Sequence, residues 1–157
     1  MSLGMTSLQL HDWLAGTLTD EQLNQVAELH LAAFDRKGRS VEDYIDQRLR
    51  KLWQLGEDDS GGEMVASARL HVIINDGQLI AKAATFLRTI GTQSGKRDVM
   101  ALAGVAAHPS ARGGGWGKRI VSAAFERIDR GEYADCLFQT GKARSFYERL
   151  GCRVVEN

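Results

Sequence analysis

The feature that most constrains this sequence is a glycine-rich stretch between a predicted strand and a predicted helix. Glycine occupies four of the five positions 113–117. Glycine adopts positive φ at little cost and leaves open backbone amides that a Cβ would shield. The first amides of a helix, with the positive end of its dipole, bind anions such as a diphosphate. The stretch therefore predicts an anion-binding loop, with Arg112 and Lys118 adding positive charge at its rim.

Three phosphate-binding patterns compete for this loop. The pattern G-x-x-x-x-G-K-[ST] is absent, and the dinucleotide pattern G-x-G-x-x-G lacks its last glycine because Lys118 stands there. The third pattern, [RQ]-x-x-G-x-[GA], is met by Arg112, Gly115 and Gly117. At ordinary amino-acid frequencies such a short pattern occurs by chance in roughly one chain in five. A glycine-rich surface turn that binds nothing is therefore the alternative.

Hydrophobic periodicity predicts a mixed α/β layer structure around the loop. The predicted strands cover residues 7–13, 65–74, 78–90, 99–107 and 134–139, with a last strand beginning at Val154. Two helices are expected after the N-caps Thr19 and Ser40, and two more over residues 115–130 and 142–150. Residues 56–62 predict a loop, and Asn75-Asp76-Gly77 predicts a tight hairpin. The length of 157 residues fits a single domain, residues 1–157.

The loop and its surroundings resemble the GNAT acyltransferases. In that family a strand ending V-x-x-x-P precedes the [RQ]-x-x-G-x-[GA] loop, as Val105–Pro109 precedes Arg112–Gly117 here. A second family block, A-x-x-[LF]-Y-x-x-x-G, is matched by residues 143–151. The resemblance covers nearly the whole chain. It implies an α/β fold whose central, mostly antiparallel sheet splays at the cofactor site and carries helices on both faces.

The resemblance also implies a cosubstrate and a reaction. Acetyl-CoA would bind with its pantetheine arm paired to the backbone of Val105 and Ala107. Its pyrophosphate would lie on the loop, whose implied binding residues are Arg112, Gly113, Gly114, Gly115, Trp116, Gly117 and Lys118. The implied reaction is direct transfer of the acetyl group to a primary amine in a ternary complex.

Such a transfer needs a neutral amine, a polarised thioester carbonyl and a proton for the departing thiolate. Backbone N–H groups near Val105 would polarise the carbonyl. Tyr147 shares a helical stripe with Phe146 and Leu150, a pattern that by itself indicates a core tyrosine. The resemblance implies instead that Tyr147 is the general acid.

The general base is not marked by a motif. His71, which shares a strand face with Arg69, is the first candidate, and Asp98 at the start of the third long strand is another. His30 on an apolar helix face and His108 beside the loop are expected to be structural.

The acceptor is left open between an aminoglycoside-like amine, another small amine and a peptide amine. Residues 80–151 look most like aminoglycoside 2′-N-acetyltransferases, which carry an acid where Ala103 stands. The family often has Asn at the position of Thr140, and its final hairpin extends past Asn157. We expect the C-terminal wall of the acceptor site to be missing or supplied by a partner subunit in a homodimer. The competing function is an acyl-CoA-binding sensor or degenerate regulatory domain without turnover.

Charge and cysteine content argue against several partner classes. Lys+Arg and Asp+Glu number 20 each, and the basic residues are scattered, so neither nucleic acid nor a membrane surface is an expected partner. The longest apolar run, Val99–Ala107, is far below the ~18 residues of a membrane span. Cys136 and Cys152 have neither disulfide nor metal spacing, so no metal is expected. Because no signal peptide is visible, a cytoplasmic location is expected.

Overall fold

The computed structural model describes residues 7–34, 39–50 and 67–155. The strands are β1 (Leu8–Leu14), β2 (Arg69–Asn75), β3 (Gln78–Thr92), β4 (Gly95–Ala107) and β5 (Cys136–Leu137). The helices are α1 (Asp20–Phe34), α2 (Val41–Tyr44, followed by a π-helical turn over Ile45–Leu49), α3 (Trp116–Asp129) and α4 (Arg144–Arg149). Short 3-10 turns cover Ala15–Thr17 and Pro109–Ala111.

The strands form one sheet in the order β1-β2-β3-β4-β5. The pairs β1–β2, β2–β3 and β3–β4 are antiparallel, and β4–β5 is parallel. The predicted hairpin between β2 and β3 is confirmed, because Asp76 (φ 49°) and Gly77 (φ 81°) both have the positive φ of a type I′ turn. The mostly antiparallel sheet expected from the resemblance is therefore present.

The β4 and β5 strands separate soon after they meet. Only Met100 and Ala101 pair with β5, whereas β4 continues to Ala107. A bulge interrupts the β3–β4 ladder shortly after the two residues that pair with β5. Lys82 pairs with Ala106 and Ala84 with Ala103, so the single residue between them on β3 lies opposite two residues of β4, Gly104 and Val105. A bulge bends the strand that carries it. The sheet therefore opens between β4 and β5 on the side where β4 leads into the glycine loop.

Helices cover both faces of the sheet, each over its own apolar core. On one face α1 and α2 contribute the buried residues Leu23, Val26, Ala27, Leu29 and Tyr44. On the other face α3 and α4 contribute Ile120, Val121, Ala124 and Tyr147. The α/β architecture implied by the resemblance is confirmed.

The predicted N-caps are also observed. Thr19 Oγ1 accepts the Gln22 N–H (3.1 Å), and Gln22 Oε1 accepts the Thr19 N–H (2.9 Å), a reciprocal capping box at the start of α1. Ser40 Oγ accepts the Asp43 N–H at the start of α2 (3.1 Å). These local hydrogen bonds explain why both helices begin where the sequence predicts.

The prediction of a last strand at Val154 is wrong. Residues 152–155 have no strand structure, and Val154 and Val155 are exposed. A β-rich dipeptide forms a strand only when a neighbouring strand supplies hydrogen bonds, and no described strand pairs with it. For the same reason the predicted strand 134–139 shortens to the two residues that reach β4. The predicted loop over residues 56–62 and the start of the strand predicted from Val65 lie outside the described residues.

Candidate active site

The glycine loop connects β4 to α3 and leaves the first amides of α3 open. Gly113 (φ 89°) and Gly115 (φ 76°) adopt left-handed conformations that side chains disfavour. Gly115 is the N-cap of α3, so no side chain caps the helix there. The first intrahelical bond runs from Arg119 N–H to the Gly115 carbonyl (3.1 Å). The amides of residues 116–118 therefore precede the helical ladder and can bind an anion.

Trp116 folds back over the loop and explains a third glycine. A Cβ added at Gly114 would lie 2.5 Å from Trp116 Nε1, closer than a real contact allows. The Arg119 guanidinium lies over the Trp116 ring, 5.0 Å from its centroid. The indole therefore shapes the loop, and a side chain at residue 114 would have to displace it.

Two polar side chains fix the loop from outside. Arg112 Nη2 donates to the carbonyl of Ala33 at the C-terminal end of α1 (3.2 Å). His108 Nδ1 accepts the Ser110 N–H (3.2 Å) and lies 2.7 Å from the Ser110 hydroxyl. Because these side chains hold the loop itself, its donors toward a ligand are mainly backbone amides.

The last residues of β4 present backbone groups to the opening beside β5. The His108 N–H donates to the Ile80 carbonyl (2.7 Å), so His108 and, two residues earlier, Ala106 direct their backbone groups to β3. By the same alternation Ala107 directs its groups away from β3. Val105 follows the bulge, and its N–H points opposite to the Gly104 carbonyl, which accepts from Lys82 on β3 (2.8 Å). At this level β4 has no pairing with β5, so these groups face the opening.

Tyr147 lies at the junction of the second motif with the loop. Its ring packs against Phe138 (4.6 Å between centroids) and Phe146 (5.0 Å). A Cβ at Gly117 would lie 3.5 Å from Phe146 Cζ, so the start of α3 approaches α4 closely. Burial, followed by the neighbouring Cys152 and Cys136, raises the pKa of Tyr147. The phenol therefore keeps its proton at neutral pH, and none of the described residues is a hydrogen-bond partner of its hydroxyl.

His71 belongs to a polar chain, buried except at Asp12, that links three strands to α3. Its Nδ1 lies 2.7 Å from Asp12 Oδ1, and its Nε2 lies 2.8 Å from Thr85 Oγ1. Arg127 Nη1 donates to the same Thr85 hydroxyl oxygen (2.9 Å). These contacts are consistent with the tautomer of a neutral ring that carries its proton on Nδ1. Arg127 then donates to Thr85, the Thr85 hydroxyl donates to His71 Nε2, and His71 Nδ1–H donates to Asp12. Both ring nitrogens are thus engaged.

This placement gives no support to the role of general base for His71. The side chain is fully buried. It lies on β2, two strands from β4 and therefore about 10 Å from it laterally. Asp98 accepts the Thr89 hydroxyl (2.6 Å) and lies seven residues before Val105, about 23 Å along β4. The structure brings neither candidate to the opening, and the base role of His71 stays a prediction.

Lys82 is a residue at the site that sequence reasoning missed. It is 4% exposed, and its Nζ donates to the Gly104 carbonyl in the β4 bulge (2.8 Å). Burial lowers the pKa of Lys82 to about 8. The available signal was a single lysine inside an apolar strand, Leu79–Ala84, where a charged residue is rarely buried.

The described residues offer no metal site, because no three of their His, Cys, Asp or Glu side chains are grouped to bind an ion. Cys136 and Cys152 are free thiols, and burial with the neighbouring Cys152 raises the pKa of Cys136 to about 12. In the same part of the chain, no helix has the length and apolarity required to cross a membrane.

Both the sequence and the fold are similar to those of known proteins. Residues 16–155 match the family model described as an acetyltransferase (GNAT) domain. An acetyltransferase from Trypanosoma brucei has a similar structure, with 20% identity, 96% of each chain covered and a TM-score of 0.64. A transcriptional regulator from Bacillus halodurans gives 21% identity, 96% of each chain and a TM-score of 0.71. No curated protein matches the sequence.

One further similar structure is described by its substrate class. It is an aminoglycoside acetyltransferase from an uncultured soil metagenomic sample, 16% identical, with a TM-score of 0.67. The match covers 96% of this chain and 91% of that one. At these identities the structural similarities show the fold alone.

Proposed function

The chain belongs to the GNAT acetyltransferase family, and from that premise we propose that it transfers the acetyl group of acetyl-CoA directly to a primary amine in a ternary complex. The observation that carries this proposal is the uncapped start of α3 beside an unpaired stretch of β4. One element offers amides for a diphosphate, and the other offers a strand edge for an extended amide chain. The glycine loop joins the two directly, since β4 ends at Ala107 and α3 begins at Trp116.

The described residues fit coenzyme A in shape and charge. Gly113, Gly114 and Gly115 are exposed, and side chains at these positions would be strained or would meet Trp116. The amides of residues 115–118 would hold the pyrophosphate, with Lys118 exposed at the rim. The backbone of Val105 and Ala107 would hold the pantetheine arm, because its amides can pair as an added strand does.

Acetyl-CoA supplies a thioester, whose carbonyl carbon accepts the amine lone pair and whose sulfur leaves as a thiolate. The Val105 N–H faces the opening, where a fixed donor stabilises the oxyanion that forms on the carbonyl oxygen. Tyr147 holds a proton on a hydroxyl free of described partners and donates it to the departing sulfur. The proton that the attacking amine loses passes to water, from which the Tyr147 phenolate is protonated again.

A small-molecule amine is the acceptor class that we propose. The likeness of the sequence to aminoglycoside acetyltransferases, together with a structural relative described as one, makes aminoglycosides the first compounds to test. Release of free thiol from acetyl-CoA in the presence of tobramycin, a simple alkylamine or a peptide amine would separate the three acceptor classes. Binding of acetyl-CoA without turnover on any amine would favour the sensor.

The loop is tested by a pair of glycine substitutions with matched backbone strain. Gly115 (φ 76°) and Gly77 (φ 81°) are both left-handed, and a Cβ at either would meet no atom within 4 Å. Valine at either position should therefore destabilise the fold similarly, by about 1–3 kcal/mol. Only Gly115→Val should also weaken acetyl-CoA binding, by more than about tenfold, because its side chain occupies the anion site.

Calorimetric titration with acetyl-CoA and thermal melts of both variants make the comparison. Gly77 lies in the β2–β3 turn, outside the loop, so Gly77→Val reports the effect of strain alone. Equal acetyl-CoA affinity in both variants would contradict the proposed pyrophosphate site.

A further inference from the structure

Lys82 is a buried cation without a counter-ion among the described residues. Its ammonium group makes one hydrogen bond there, to the Gly104 carbonyl, and no described carboxylate lies within ion-pair distance. Burying an ammonium group without an anion is costly, as its lowered pKa shows. An apolar residue would pack more favourably at this position. The hydrogen bond to Gly104 is therefore the interaction that the buried ammonium group supplies at this position.

That hydrogen bond is made at the irregular point of β4. Gly104 has φ 63°, a left-handed conformation in the middle of a strand, and it lies within the bulge. Its carbonyl points out of the ladder toward Lys82. A Cβ at Gly104 would lie 3.1 Å from Lys82 Nζ, so the glycine also makes room for the ammonium group. Lys82 and Gly104 therefore depend on each other: the lysine binds the glycine carbonyl, and the glycine leaves space for the lysine.

The direction of the Gly104 carbonyl fixes the direction of the next amide. The Gly104 carbonyl and the Val105 N–H belong to one planar, trans peptide group and point in opposite directions. When Lys82 holds the carbonyl on its side, the Val105 N–H points away from Lys82. Ala103 and Gly104 are exposed and Val105 is half-buried, so a ligand can reach this segment.

We propose that Lys82 is a positioning residue of the acetyl-transfer site, which holds the Gly104 carbonyl and thereby aims the Val105 N–H at the thioester oxygen. This inference rests on the proposed function. It assigns the lysine no contact with the substrate. Lys82 acts through the peptide group, so its loss should affect the transition state, in which the oxygen becomes negative, more than the binding of coenzyme A.

The variant Lys82→Met keeps an unbranched side chain one atom shorter than lysine, retains most of the apolar packing and removes the donor. We expect kcat to fall by about 10- to 100-fold. This is no more than the fall in kcat of about 10²- to 10³-fold that follows complete removal of one oxyanion donor. The dissociation constant of coenzyme A should change by less than about threefold, because the loop amides remain in place. A purely structural lysine would not produce this split between kcat and binding.

The matched control is Val26→Ala, which removes two methyl groups from the core on the α1 face. It should lower the melting temperature while leaving kcat of the folded fraction unchanged. If Lys82→Met retains wild-type kcat, or if the two variants lose kcat in proportion to their loss of stability, the inference is wrong.

Gly104→Ala keeps the inference testable if Lys82→Met folds poorly, and a double-mutant cycle adds a second test if both variants fold. Gly104→Ala alone places a Cβ beside the ammonium group and should also lower kcat. If both act on one peptide direction, the double variant should lose less than the product of the two single effects. If the two substitutions instead lower kcat independently, so that their effects multiply, they do not act on the same peptide group and the inference is wrong. Failure of the wild type to bind acetyl-CoA would instead contradict the proposed function and is measured first.

Discussion

At the scale of single residues, Tyr147 combines burial with a hydroxyl that no described residue binds. Removing that hydroxyl should therefore leave packing against Phe138 and Phe146 intact. We expect Tyr147→Phe to melt within about two degrees of wild type, as for a change of less than about 0.5 kcal/mol. Its kcat should fall by roughly 10²-fold, within the range of general acid catalysis, with acetyl-CoA affinity unchanged.

Steady-state kinetics and thermal melts of Tyr147→Phe check both halves of this prediction. Phe146→Leu is a useful control, because it perturbs the same aromatic contact without removing a proton donor. Full activity in Tyr147→Phe would mean that water protonates the sulfur. Normal activity with a large loss of stability would mean that the hydroxyl is structural.

At the scale of secondary structure, the start of α1 depends on two side chains that cap each other. Replacing Thr19 with Ala removes the acceptor for the Gln22 N–H, while the bond from the backbone N–H of residue 19 to Gln22 Oε1 can remain. We expect Thr19→Ala to lower the free energy of unfolding by about 1 kcal/mol, which is about 2–4 °C in melting temperature at this chain length. Thr19→Ser, which retains the hydroxyl acceptor, should keep most of the free energy of unfolding that Thr19→Ala loses.

Urea unfolding of the two Thr19 variants measures this difference. Arg112 of the glycine loop donates to the carbonyl of Ala33 near the end of α1. A less stable α1 should therefore also weaken this contact with the loop. A loss in Thr19→Ser as large as in Thr19→Ala would show that the methyl group, rather than the cap, matters.

At the scale of the whole molecule, the chain of Asp12, His71, Thr85 and Arg127 ties β1, β2 and β3 to α3. The hydrogen bond to His71 lowers the pKa of Asp12 below its ordinary value, against the effect of burial. A lowered pKa contributes stability that is present above the unfolded-state pKa, near 4, and is lost as pH falls through the folded-state pKa. Asp12→Asn should therefore have a lower free energy of unfolding than wild type at pH 7. The difference between the two free energies should become smaller below about pH 4.

Free energies of unfolding measured in urea from pH 7 to pH 3 test this dependence. Asp129→Asn removes an exposed carboxylate at the end of α3 and serves as the control. A gap between wild type and Asp12→Asn that stays constant down to pH 3 would contradict a role for the Asp12 charge.

Much of the fold was predictable because its signals are local. The capping residues Thr19 and Ser40 and the Asp76-Gly77 turn act through bonds to residues two or three positions away. The glycine loop was predictable for the same reason, since positive φ and an uncapped helix start are properties of neighbouring residues. The two linked motifs indicated the family, which the family model confirms.

The sequence by itself determined the helices, the first four strands, their order and the loop, because each depends mainly on the conformational preferences of a few neighbouring residues. Tertiary structure alone decided which strand ends pair, which is why the strand expected at Val154 did not form. It also decided the surroundings of each ionisable group. His71 and Lys82 both lie in β-strands, yet one is enclosed between Asp12 and Thr85 and the other reaches the Gly104 bulge. Their partners come from 14 to 59 residues away in sequence, so no local pattern could place them.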